Sequence, residues 1–174
     1  MQRQYIAALC TLLLATTAQA ADFNIELNIP DIKSSEYHRP YVAIWVEDSD
    51  SKLVEHLTLW YFIKGKEDNP QEGLKYLKDL RNWWRKGGRS LKPLPDAITG
   101  ATQKPGKYNI EIKADDPRLA KLKDGSYTLM IEAVREEGGR EALSIPFTLP
   151  VKEKSEAKAS GKSELGDVTL TITP

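Results

Sequence analysis

The sequence predicts a mainly β protein with one helix inserted midway. Three observations support this prediction: several short segments alternate apolar and polar residues, turn signals separate them, and only one stretch has helical spacing. Alternation of this kind buries one side of a strand and leaves the other in solvent. We therefore expect an immunoglobulin-like β-sandwich of about seven strands, with a small β-barrel as the alternative.

The first twenty residues have the organisation of a secretion signal. Arg3 precedes an apolar run over residues 5–17, and Ala18-Gln19-Ala20 matches a signal-peptidase site. The apolar run is too short to span a bilayer. We expect a signal peptide at residues 1–20, cleavage after Ala20 and a periplasmic mature chain.

Composition narrows the possible functions. The 174 residues suggest one domain, and 25 basic residues balance 25 acidic ones, so no bulk charge points to nucleic acid. The one cysteine, Cys10, lies in the predicted signal, so the mature chain has no disulfide and no thiolate chemistry. His38 and His56 lack a Cys-x-x-Cys-His haem motif, and no metal site is predicted. No hydrolase or phosphate-loop motif is present, which favours a carrier over an enzyme.

Three strands are predicted before the helix. The first shows strict alternation over residues 23–29. The second, residues 41–46, is apolar on both faces and is therefore expected at the centre of a sheet. The third covers residues 57–63, and the acidic turn over residues 48–51 indicates a hairpin between them. A solvated turn explains this acidic run better than a cation site does.

A helix is predicted over about residues 70–86. Asn69 can cap it, Pro70 suits its first position, Glu72 occupies the capping-box position, and Gly87-Gly88 ends it. Its apolar stripe is expected to consist of Leu74, Leu77, Leu80 and Trp84. On this phase Trp84 faces the core and the adjacent Trp83 is freer.

Strands return after a Gly- and Pro-rich loop over residues 87–106, a length that is usually functional or disordered. The alternating segments are residues 108–112, 127–133, 143–149 and 168–172. Residues 152–166 show no apolar periodicity and are predicted to be a flexible linker or a long hairpin loop. The expected domains are therefore a sandwich over residues 21–150 and a polar linker with a terminal strand over residues 151–174.

The loop contains the segment Asp96-Ala97-Ile98-Thr99-Gly100-Ala101-Thr102. It resembles the acceptor motif of extracytoplasmic flavoproteins, Asp-x-x-Ser/Thr-Gly-Ala-Thr/Ser. That resemblance implies FMN bound covalently to the Thr102 hydroxyl through a phosphoester. Gly100 and Ala101 would allow a tight or positive-φ turn and the approach of a modifying enzyme. Asp96 and Thr99 would shape the turn by side-chain to backbone bonds. The alternative is a turn whose threonine caps the next strand.

Residues next to the loop are candidates for contacts with the flavin. Trp83 could stack on the isoalloxazine ring, and Arg85 and Arg89 could pair with the FMN phosphate. The competing interpretation is that Trp83 packs in the core and the arginines are solvated.

A second resemblance covers residues 23 to about 150. It depends on four segments: Tyr41-Val42-Ala43-Ile44-Trp45-Val46-Glu47-Asp48, Leu57-Thr58-Leu59-Trp60, Leu80-Arg81-Asn82-Trp83-Trp84-Arg85 and the loop from Asp96 to Gly106. These segments resemble the bacterial domain-of-unknown-function family 2271. The resemblance implies a periplasmic electron-transfer role with a PepSY-type membrane reductase and an ApbE-type FMN transferase as partners. The alternative is a non-catalytic immunoglobulin-like binding module that holds a partner with the loop and the basic helix.

Overall fold

The computed structural model describes residues 21–63 and 72–174 as nine strands in two sheets. The strands are β1 (Asp22–Ile29), β2 (Tyr41–Asp48), β3 (Leu53–Tyr61), β4 (Thr99–Ala101), β5 (Gly106–Ile112), β6 (Gly125–Val134), β7 (Arg140–Leu149), β8 (Ser155–Ser160) and β9 (Asp167–Thr173). The first sheet has the order β5-β1-β9-β8, and the second has the order β4-β3-β2-β6-β7. The prediction of a mainly β sandwich is confirmed, although the described residues form nine strands rather than about seven.

The main core fills the space between the two sheets. Inward-facing residues of β1 and β9 in the first sheet meet those of β2 and β6 in the second, including the fully buried Ile25, Leu170, Ile44 and Ile131. Within each strand, the inward-facing residues lie two positions apart, as the geometry of a strand requires. The alternation visible in the sequence therefore marks the inner faces of both sheets.

A second, smaller core lies on the outer face of the second sheet. Ala43 and Trp45 of β2 and Leu59 of β3 are fully buried there beneath the helical segment. The predicted central position of β2 is correct, because β2 pairs with both β3 and β6 and has apolar residues on both faces. The second sheet is thus sandwiched between the first sheet and the helical layer.

The helical segment differs from the single α-helix predicted over residues 70–86. It consists of a 3₁₀ helix over Glu72–Asp79 followed by a short α-helix, α1, over Arg81–Lys86. The predicted capping residues Asn69 and Pro70 lie outside the described residues. A 3₁₀ helix has three residues per turn, so residues at i and i+3 share one face.

That period reverses the predicted roles of the two tryptophans. The buried face consists of Leu77, Leu80 and Trp83, each three residues after the previous one. Trp83 is 1% exposed, whereas Trp84 is half-buried at the margin of the same cluster. The expectation that Trp84 fills the core and Trp83 stays free was wrong because it assumed the 3.6-residue period of an α-helix.

Residues 152–166 contain a strand that the sequence analysis did not predict. β8 pairs antiparallel with β9, and β9 pairs on its other side with β1. Ala157 and Ala159 of β8 pack against the main core, while Glu156 and Lys158 alternate with them on the exposed side. Period-two alternation is therefore present, but its apolar members are alanines. The last two strands belong to the first sheet, so this end of the chain is part of the sandwich.

No helix in the described part of the chain is long and apolar enough to cross a bilayer. The predicted signal peptide, residues 1–20, lies outside the described residues.

Candidate functional site

Residues 96–102, which resemble the acceptor motif, form a turn followed by a short edge strand rather than an irregular loop. Residues 99–101 are β4, which pairs in parallel with the end of β3, so that Trp60 faces Gly100 and Tyr61 faces Ala101. The chain then crosses from the edge of the second sheet to β5 at the edge of the first sheet. Thr102 is the first residue of this crossover, residues 102–105.

The turn before β4 is held by the bonds that its sequence favours. The Thr99 backbone N–H donates to the Asp96 carbonyl at 3.2 Å, and the Thr99 hydroxyl donates to the same carbonyl at 3.4 Å. Ile98 lies between them and is buried in the outer core. The Leu59 N–H donates to the Ile98 carbonyl at 2.7 Å. Thr99 therefore shapes the turn as predicted, while Asp96 contributes its backbone and stays exposed.

Gly100 has a structural role that differs from the predicted one. It lies in a strand and is not among the described glycines with positive φ, which are Gly106 and Gly125. A Cβ on Gly100 would lie 3.0 Å from Cδ1 of Trp60 and 3.3 Å from its Nε1. The missing side chain therefore lets the Trp60 indole cover the strand. That indole packs in turn edge-on against Tyr108 of β5, at 5.5 Å between ring centroids.

The backbone of Thr102 is fixed by a hydrogen bond, whereas its side-chain hydroxyl has no hydrogen-bond partner among the described residues. Its N–H donates to the Tyr61 carbonyl at 3.2 Å, which extends the pairing of β4 by one residue. The residue is half-buried, and Ala101 beside it is exposed. Within residues 21–63 and 72–174 the Thr102 hydroxyl forms no hydrogen bond. The hydroxyl therefore has no competing hydrogen bond within this part of the chain.

The structure does not bring Trp83 and Arg85 to Thr102. The Trp83 Nε1–H donates to Nδ1 of His56 in β3 at 2.9 Å, and the indole is buried. His56 precedes Tyr61 by five strand residues, roughly 17 Å along β3. Arg85 is bonded to its own helix, through the Arg81 carbonyl at 3.2 Å and Asn82 Oδ1 at 3.1 Å. Trp83 therefore packs in the core, as the competing interpretation held, and neither Trp83 nor Arg85 lies beside Thr102, because closeness in sequence to the loop did not become closeness to its far end.

Residues that the sequence analysis missed surround the crossover instead. The segment between β1 and β2 brings Tyr37 and Arg39 to the same groove as Lys104. Antiparallel strands alternate in direction, so the end of β1, the start of β2 and the start of β5 meet at one end of the sandwich. The sequence signal for these residues is the set of predicted strand ends, because the ends of antiparallel strands meet at one end of a sandwich.

The acidic run at the end of β2 is explained by structure. Asp48 Oδ1 accepts from the backbone N–H groups of Asp50 and Lys52, each at 2.9 Å, which closes the hairpin turn. Glu47 accepts from Trp45 Nε1 at 2.8 Å and from Lys86 Nζ at 3.1 Å. The interpretation of this run as a turn is confirmed.

The two histidines have separate surroundings. Burial lowers the pKa of His56, which accepts the Trp83 hydrogen bond. His38 lies at the surface, 3.3 Å from Glu36 and 3.6 Å from Glu136. Glu36, His38 and Glu137 could each direct one ligand atom to a common point, within 4.8 Å of one another. Since the two carboxylates are exposed and His38 already lies beside Glu36 and Glu136, ordinary surface contacts account for this group.

A comparison with family models finds one that matches residues 22–167 and is described as "Predicted periplasmic protein (DUF2271)". The match covers eight of the nine strands in full and reaches the start of β9. No curated protein and no solved structure matches the chain.

Proposed function

The chain belongs to the DUF2271 family of predicted periplasmic proteins, and from that premise we propose that it is a periplasmic electron-transfer protein with FMN bound covalently to Thr102. The observation that supports the proposal is the acceptor segment on an accessible crossover, with an uncommitted hydroxyl at its last position. A separate FMN transferase attaches the cofactor, and a PepSY-type membrane reductase supplies the electrons.

The attachment is a phosphoryl transfer in which FAD is the co-substrate. The Thr102 Oγ1–phosphorus bond forms, the phosphoanhydride bond of FAD breaks, and AMP leaves. The hydroxyl proton goes to a base of the transferase, because threonine is a poor nucleophile at neutral pH without a base and a metal. This chain therefore contributes the hydroxyl and its presentation: β4 fixes the backbone, and the exposed Ala101 leaves room for the enzyme.

The positive charge at the crossover end of the sandwich suits the negative charge of the FMN phosphate. Arg39 and Lys104, both exposed, lie at the crossover end of the sandwich and suit a phosphodiester. Once attached, FMN supplies reversible electron transfer, while the protein positions it and sets its surroundings. The mature chain has no cysteine, so the flavin is the natural source of redox chemistry.

The test is co-expression with an FMN transferase, followed by intact mass spectrometry and in-gel flavin fluorescence. The wild-type protein is expected to gain one FMN less one water, and Thr102→Ala is expected to gain nothing. Thr102→Ser, which keeps a hydroxyl, serves as the matched control and is expected to retain the adduct. An unmodified wild-type chain would contradict the proposal, and an adduct that survives Thr102→Ala would assign it to another residue.

A second candidate is a non-catalytic periplasmic binding module. It is favoured by the structural roles of Thr99 and Gly100, which shape the turn and accommodate Trp60 without any cofactor. On this view the loop and the exposed basic residues of α1 hold a partner protein. The same mass measurement separates the two, because a binding module remains unmodified when the transferase is present and active on a known acceptor.

A further inference from the structure

A groove opens beside the crossover at the end of the sandwich that contains Thr102. It has a volume of about 530 Å³ and lies between the segment joining β1 to β2 and the residues Lys104 and Pro105. Sites for small molecules commonly range from roughly 300 to 1,000 Å³. We call it the crossover groove; its lining includes Asp31, Lys33, Tyr37, Arg39, Lys104 and Pro105.

The crossover groove is positively charged although the whole chain is neutral. Lys33 is paired with Asp31 at 2.7 Å. Arg39 and Lys104 form no ion pair with any carboxylate in the described ranges 21–63 and 72–174. Lys104 is held at the groove because its carbonyl accepts the Tyr108 hydroxyl at 2.7 Å. Arg39 and Lys104 thus give the groove positive charge that no described carboxylate pairs with.

An aromatic ring forms one wall of the groove. Tyr37 is half-buried, and the Arg135 guanidinium lies 5.6 Å from its ring centre on a cation–π contact. Arg135 is fixed behind the ring by a buried ion pair with Glu164 at 2.9 Å. A ring supported in this way is a fixed surface for stacking.

Two buried polar atoms at this wall have no partner among the described residues. They are the Tyr37 hydroxyl and Nη1 of Arg135, whose side chain is 6% exposed. Buried polar groups are nearly always hydrogen-bonded, and an unsatisfied one costs about 1–3 kcal/mol. Both atoms therefore retain unused hydrogen-bonding capacity at the Tyr37 ring.

The distance from Thr102 allows a tethered ligand to enter. Lys104 follows Thr102 by two residues, at most about 7 Å of extended chain. The ribityl phosphate arm of FMN is longer than that, so its ring can reach the groove. A second groove, of about 310 Å³, is lined by Asp48 and Tyr127 at the opposite end of the sandwich. It lies roughly 23 Å away along β2, and no lysine or arginine lines it.

We propose that the crossover groove is the binding site of the flavin. The isoalloxazine ring lies against Tyr37, and Arg39 and Lys104 bind the phosphate of FMN. This proposal rests on the proposed function, since it takes FMN to be attached to Thr102. It replaces Trp83 and Arg85 with residues on the other side of the crossover. It also gives the covalent flavin a cover within its own chain.

The test measures how well the attached flavin is shielded. The flavinylated protein is titrated with acrylamide, a neutral quencher whose access does not depend on the charge of the groove, and flavin fluorescence anisotropy is recorded. Two variants change the groove: Tyr37→Leu, and the double variant Arg39→Gln/Lys104→Gln. The double variant Lys152→Gln/Lys154→Gln removes the same charge from exposed residues near the opposite end and is the matched control.

We expect the wild-type flavin to be shielded and to tumble with the protein. Both groove variants lose shielding and anisotropy, and the control keeps them. The proposal is overturned if the wild-type flavin is quenched as readily after folding as it is in guanidinium chloride, or if the groove variants match the control. Loss of the adduct in both groove variants would instead assign the groove to recognition by the transferase. Failure of the proposed function is distinguishable, because the wild-type mass then shows no adduct.

Discussion

At the scale of single residues, His56 links the sandwich to its helical layer. Its Nδ1 accepts the Trp83 hydrogen bond, so the folded state requires the unprotonated form at that atom. Burial lowers the pKa of His56, and the Lys121 ammonium also lowers it, against the opposing effect of the Glu55 carboxylate. His56 is 9% exposed. A buried neutral histidine of this kind makes stability depend on pH.

The free energy of unfolding should decrease as the pH falls below about 6.5, the ordinary value for histidine. Below that pH the unfolded chain binds a proton that the folded chain resists, so unfolding becomes more favourable. Urea unfolding between pH 7.5 and 5 measures the effect. His56→Gln keeps an oxygen acceptor but cannot titrate, and it should flatten the curve in this window. Equal slopes for the two proteins would contradict the assignment.

At the scale of elements, the helical layer shows how a local period selects which side chain is buried. Leu77 of the 3₁₀ helix, Leu80 just after it and Trp83 in α1 follow one another at intervals of three residues. All three side chains therefore lie on the same buried face. Glu132 of β6 then fixes the start of α1: its carboxylate accepts from the N–H groups of Asn82 and Trp83 at 2.9–3.1 Å. Glu132 is fully buried and also pairs with Arg140 at 3.1 Å.

Replacement of the two adjacent tryptophans should therefore have unequal effects. Trp83→Phe removes the indole N–H, leaves Nδ1 of His56 buried without a partner and opens space in the outer core. We expect it to cost about 2 kcal/mol more than Trp84→Phe does. Chemical denaturation of the two variants provides the comparison, and each is the other's control. Equal costs would restore the predicted α-helical phase.

At the scale of the whole molecule, the last two strands complete the first sheet. β9 lies between β1 and β8, and Val168, Leu170 and Ile172 are each at most 1% exposed in the main core. The hairpin loop between β8 and β9 is tied to β7: the Glu141 carboxylate accepts from the N–H groups of Lys162, Ser163 and Leu165 at 2.6–3.0 Å. Partial burial pushes the pKa of Glu141 upward, but these donors outweigh burial and hold it below its ordinary value.

A core substitution in β9 should therefore destabilise the entire sandwich. Leu170→Ala leaves a cavity between the sheets and is expected to cost about 2–5 kcal/mol. The neighbouring Thr171→Ala, on the opposite face of the strand, should cost less than about 1 kcal/mol. Thermal unfolding monitored by circular dichroism distinguishes them. If both variants unfolded like the wild type, β9 would be an appendage, as the polar linker before it had suggested.

The sequence by itself determined the β class and the inner faces of most strands, because these depend on neighbouring residues and a period of two. Where the period was misjudged, the prediction failed: the tryptophans of the helical segment followed a period of three, and the alanines of β8 were too small to register as an apolar pattern.

Only the tertiary structure decided which residues lie around Thr102. Trp83 is close in sequence but faces the middle of β3, while Tyr37 and Arg39 are distant in sequence and share the crossover groove with Lys104. The physical reason is that antiparallel pairing brings together the ends of strands that are far apart along the chain. Such proximity depends on strand order and register, which are properties of the assembled sheets.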